Sequence, residues 1–190
     1  YYMGVYYSLS DSLERANYCL DEAAQEAKVQ KDTATLCLVW SKNSWVMRKT
    51  NAPLGLKYAN QALAVYRKYS QAMPLNTIYY ILLKGECERL CGKSQEALSG
   101  SKEAERIALA LGDSATLSNV YQDMSCFAAG AHDAKAVHYG LLSRSYSSVN
   151  NIDKTLSLAG AYYETGQYAA CLNLLDTLQM KDNSQRYAAY

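Results

Sequence analysis

Proline, phenylalanine and histidine are almost missing from this chain of 190 residues, which holds two prolines, one phenylalanine and two histidines. Scarce proline lets helices run, because each interior proline costs about 3 kcal/mol. Scarce histidine leaves His132 and His138 as the sole near-neutral acid/base groups, and a surface position is the plainer reading of both. No Gly-rich phosphate loop, His-Glu metal motif or nucleophile elbow occurs. No apolar run approaches the roughly 20 residues of a membrane span, and no signal-peptide pattern is present. The formal charge is +1, with basic and acidic residues mixed along the chain and no basic stripe of the kind nucleic-acid binders carry. Arg48-Lys49 reads as a solvated helix end. Every charged residue that can be placed falls on a solvent face. The expectation is a chain that is no enzyme, holds no cofactor, touches no nucleic acid and spans no membrane.

What is abundant is tyrosine, with eighteen residues, inside a hydrophobic fraction of 49%. Tyrosine has replaced phenylalanine as the aromatic filler, and its hydroxyl needs water or a partner, so many rings are expected at semi-exposed packing edges. A chain of this length can bury roughly two-thirds of its unfolded surface. No alternating strand pattern of useful length appears. The fold class is all-α.

An internal repeat organises the chain. Asp32-Thr33-Ala34-Thr35-Leu36 is echoed by Asp113-Ser114-Ala115-Thr116-Leu117, and the Thr/apolar pair recurs at Thr77-Ile78 and Thr155-Leu156, at intervals of 42, 39 and 39. A second ladder of small residues runs Ala23, Ala62, Ala104 and Ser143, at 39, 42 and 39. Each period reads as helix, turn, helix. Asp11 with Glu14 suits a capping box, Pro53 suits the first turn of a second helix, and Gly112-Asp113 reads as a stop followed by a cap. Gly92, Gly130 and Gly166 are each expected to end a first helix in the left-handed conformation. The repeats fall at about 1–30, 31–72, 73–112, 113–150 and 151–181 in one domain.

Leu158-Ala159, Tyr162, Gly166-Gln167-Tyr168, Cys171 and Leu175 follow the spacing of small, aromatic and glycine positions in the tetratricopeptide repeat, which the chain resembles throughout. Gly85, Gly92, Ala97 and Ala104 repeat the pattern, as do Gly4, Tyr7, Ala16, Leu20 and Ala23, and Val120, Met124, Phe127 and Ala136. Gly55, Ala59 and Ala62 match in the second helix only. The resemblance implies a right-handed superhelical solenoid of about five antiparallel helix hairpins. It departs from the family in its period of 39 to 42 residues against about 34, in a shorter first helix in repeat five, and in Lys84 and Glu88 at apolar positions.

The resemblance also implies that the first helices line a concave groove. The positions carried over are Tyr79, Leu82, Glu86 and Arg89 in repeat three and Ser118, Tyr121 and Ser125 in repeat four. In repeat five they are Asp153, Leu156, Gly160 and Tyr163. Such a surface suits a peptide or partner helix; the alternative is that some tyrosines merely bridge adjacent hairpins.

Cys87 and Cys91, at i and i+4, share a helix face, but a structural zinc site wants four ligands and no local complement exists. Packing is the plainer role for the six cysteines. Their lack of an evident pairing favours the cytoplasm, with the periplasm as the alternative. The chain opens in mid-pattern at Tyr1-Tyr2, and Asp182 with Gln185 looks like the cap of a further helix over 182–190, so it reads as a fragment of a longer protein. The leading expectation is a protein-interaction scaffold. The second is the sensory input region of a bacterial membrane-associated signalling or transcription-regulating protein, which long, Tyr-rich repeats resemble.

Overall fold

The computed structural model describes residues 1–9, 13–69, 73–147, 151–176 and 178. These form ten α-helices and no strand. In chain order they are α1 (Tyr2–Leu9), α2 (Leu13–Val29), α3 (Thr33–Met47), α4 (Ala52–Tyr66), α5 (Pro74–Leu90), α6 (Ser94–Leu111), α7 (Ser114–Gly130), α8 (Lys135–Ser145), α9 (Ile152–Glu164) and α10 (Tyr168–Asp176). A single 3-10 turn, Arg67–Tyr69, follows α4. The chain divides into two compact units, Tyr1–Gly100 and Ser101–Tyr190.

The helix starts explain the first ladder. The caps of α3, α5, α7 and α9 are Asp32, Met73, Asp113 and Asn151, at intervals of 41, 40 and 38 residues. Asp32 accepts from the Thr35 backbone N–H at 3.1 Å and from its hydroxyl at 2.6 Å. Asp113 accepts from the N–H groups of Ala115 and Thr116, both at 3.2 Å, and from the Thr116 hydroxyl. These carboxylates satisfy donors that the first helical turn leaves without an intrahelical partner. Thr77 and Thr155 stand one residue further along and donate instead to the cap carbonyls of Met73 and Asn151, at 3.1 Å each. The threonine ladder is thus a row of helix starts. Pro53 and Pro74 occupy first turns, where their missing N–H costs least. Asp11 of the expected Asp11–Glu14 pair, and both members of Asp182–Gln185, lie outside the described residues.

The stops are partly as expected. Gly92 and Gly166 are left-handed, with φ of +75° each. Gly130 is not: it is the last residue of α7, and the left-handed position falls on His132, φ 53°. The bonds closing α7, His132 N–H to Ala129 O and Asp133 N–H to Ala128 O at 2.9 Å each, match those that Gly92 and Lys93 make to Arg89 and Glu88. The closing geometry is conserved between the two turns, while the glycine sits two residues before the place that uses it.

In the first unit each helix from α1 to α5 packs on its neighbour, and α3 also packs on α5. In the second, α7 to α10 pack in the same sequential way, and α7 also packs on α9. Small residues set the spacing. Ala16, Ala59, Ala62, Ala104, Ala108, Ala128 and Ala136 have no exposed surface. The first core gathers Leu20, Ala24, Val39 and Val46, with Trp45 and Leu36 packed against it. Gly140 lets α8 close on its neighbours: a Cβ there would lie 2.7 Å from Leu158 Cδ1 and 3.2 Å from Ser125 Oγ. With 13 residues against 17 in α7, α9 is the shorter first helix that the sequence predicts.

Candidate partner-binding surface

Four of the eleven proposed groove residues stand on one stripe of α5. Tyr79 is 46% exposed and meets Tyr80 edge to face at 5.2 Å. Leu82 is half-buried, and Arg89 grips Glu86 through two hydrogen bonds of 2.9 Å each. Burial raises the Tyr79 phenol pKa, and the positive charge of Arg48 opposes that rise, which places Tyr79 and Arg48 in one electrostatic neighbourhood.

On α7 the expected phase is corrected. Ser118 and Ser125 are fully buried and Tyr121 is 6% exposed, so none of the three is open to a partner. Ser125 donates to Ala136 O at 2.8 Å, inside the α7–α8 crossing. Tyr121 is stacked between Tyr139 and Tyr146, at 6.3 and 5.7 Å, and burial, followed by the charge of Glu105, pushes its phenol up to about 12. The stacking lies within the α7–α8 hairpin rather than between adjacent hairpins. Tyr80 and Tyr139, at 3% and 6% exposure, are likewise core rather than edge.

On α9, Asp153 is exposed in the first helical turn, where a carboxylate complements the helix dipole. Tyr163 is 60% exposed and meets Tyr168 edge to face at 5.5 Å. Leu156 is half-buried and Gly160 exposed.

Among the described residues two charges are buried, against the expectation that all face solvent. Glu88 is ion-paired with Lys84 one turn earlier, which accounts for both residues at positions where the repeat wants apolar ones. Lys154 lies at the start of α9, donates to the Ser118 hydroxyl, and has its pKa lowered by burial. The cysteines follow packing: Cys37, Cys87 and Cys171 are buried, and burial raises the pKa of the first two. Among the described residues no group of three or more His, Cys, Asp or Glu is placed to hold a metal ion, and no helix is long and apolar enough to cross a membrane.

The sequence reading missed the neighbouring stripe on α3. Leu38, Lys42 and Trp45 follow one another at helical spacing, with Leu38 41% exposed, and Lys49 is exposed in the turn just after the helix. Both tryptophans of the chain, Trp40 and Trp45, are on this helix. The Arg48 guanidinium lies 4.3 Å from the Trp45 ring centre and the Lys42 ammonium 5.8 Å from it. The signal that could have found this face is charge counted by segment. The basic and acidic residues are not evenly mixed: the net charge is −3 over 1–32, +6 over 33–92 and −2 over 93–190. No protein-family model matches the chain, and no curated protein matches it.

Proposed function

We propose that this chain is a protein-interaction scaffold, its hairpins stacked as a right-handed superhelical solenoid of the tetratricopeptide type. The first helices of the hairpins form the surface that holds a peptide or a partner helix. The packing of α3 on α5, and of α7 on α9, supports that arrangement within each unit. One observation carries the functional part. Leu38 and Tyr79 each stand six residues beyond the caps of neighbouring packed helices, Asp32 and Met73, and both are large apolar side chains left about half exposed. Large side chains on a rigid helical surface are what partner recognition uses.

The test is selection of binding peptides from a random library against the full chain, followed by amide chemical-shift mapping. Shifts clustered on α3 and α5 around Leu38 and Tyr79 are expected. Shifts confined to α4, or a library that yields no binder, would count against the reading.

A further inference from the structure

The stretch from Thr33 to Gly92 contains eight basic residues and two acidic ones. Both acids are neutralised within α5, Glu86 by Arg89 and Glu88 by Lys84. The positive excess therefore belongs to the rest of the stretch; two of its cations, Lys42 and Arg48, lie over the Trp45 ring near the C-terminal end of α3, and Lys49 is exposed in the turn just after it. Helices α3 and α5 pack on each other, with Ser44 Oγ 3.4 Å from Cys87 Sγ in their C-terminal halves. Their N-terminal halves expose Leu38, Leu75 and Tyr79, at 41%, 55% and 46%. The face thus carries exposed apolar side chains beside a cationic cluster, with Tyr79 in the field of Arg48.

We infer that this face takes an acidic segment of a partner protein, with carboxylates toward Lys42, Arg48 and Lys49 and aliphatic side chains against Leu38, Leu75 and Tyr79. The inference rests on the scaffold reading above and adds the chemistry of the partner. Two features set it against a nucleic-acid strand. Arg48 already lies against the Trp45 ring at 4.3 Å, where a base would stack. The exposed side chains beside these cations, Leu38, Leu75 and Tyr79, are large and apolar, which suits the aliphatic side chains of a peptide.

The experiment measures fluorescence anisotropy of the full chain with three labelled 16-residue peptides and a 20-nucleotide oligo-dT. The first peptide has a glutamate-rich half and a leucine-rich half; the others replace each glutamate by glutamine or by lysine. The acidic peptide is expected to bind at least tenfold more tightly than the other two. That binding should weaken at least tenfold in a Lys42→Glu/Lys49→Glu variant, and less than threefold in Lys57→Glu/Lys68→Glu, which makes the same change of charge elsewhere. Equal binding of all three peptides, weakened by Tyr79→Ala, would overturn the acidic preference and leave the scaffold reading standing. Tighter binding of oligo-dT, lost in Lys42→Glu/Lys49→Glu, would overturn the choice of partner. Failure of every peptide to bind would overturn the scaffold reading along with it.

Discussion

Ser118 and Ser143 exchange hydrogen bonds across the α7–α8 hairpin, each hydroxyl donating to the other's backbone carbonyl, at 2.6 and 2.8 Å. Ser118 Oγ also accepts from the buried Lys154 ammonium, so one hydroxyl ties together three helices. Ser118→Ala is expected to destabilise by about 1–3 kcal/mol, the cost of leaving a buried polar group unmade. In a Lys154→Met background the same substitution should cost less, because the orphaned ammonium is gone. Urea unfolding followed by circular dichroism completes the cycle, and equal costs in both backgrounds would show that Lys154 does not depend on Ser118.

Gly140→Ala places a methyl group against Leu158, a side chain only 1% exposed and so without room to yield. A loss of about 1–3 kcal/mol through overpacking is expected. Gly100→Ala, where nothing lies within 4 Å of the added atom, is the control and should not lower the melting temperature.

His132→Gly should stabilise. The residue holds φ at 53°, a region that costs an L side chain roughly 1 kcal/mol and costs glycine little. The gain should fall in the range of about 0.5–1 kcal/mol, less the added freedom of glycine in the unfolded chain. An unchanged or lower midpoint would mean that the imidazole makes an interaction that offsets the strain.

Asp32 and Asp113 are held below the usual carboxylate pKa by the hydroxyls of Thr35 and Thr116 first, and then by backbone N–H groups. Their contribution is fully present above the unfolded value near 3.8 and is lost as pH falls through the lower folded value. An Asp32→Asn/Asp113→Asn variant keeps a capping oxygen without a titration. It is expected to show a shallower fall of stability with pH below about 4, read from urea midpoints across the acid range.

The start-and-stop grammar of the helices is legible in the sequence because it is local. Asp113 and Thr116 meet within one turn, and no distant residue decides whether they cap. Even here the threonine ladder and the row of caps differ by one residue, since threonine acts three residues after Asp32 and Asp113 but four after Met73 and Asn151. Gly130 and His132 show the limit of such reading: the turn closes by its hydrogen bonds, and the nearby glycine does not capture the left-handed position. The surface is less legible. Tyr79 and Tyr121 are both tyrosines of a first helix, yet one is half exposed and the other is enclosed by Tyr139 of α8 and by Tyr146, which follows that helix. That difference is made by residues about twenty positions away, which spacing within one helix does not encode.

The placement of Trp40 and Trp45 together on α3 gives the molecule a private optical channel. Every indole of the chain lies in the unit that ends at Gly100, so emission excited at 295 nm reports that unit alone and the other is spectrally dark. Circular dichroism reports both. A single melt recorded both ways therefore compares the first unit with the whole chain without labels. With two cations against the Trp45 ring, carboxylates arriving at Lys42 and Arg48 should also shift that emission.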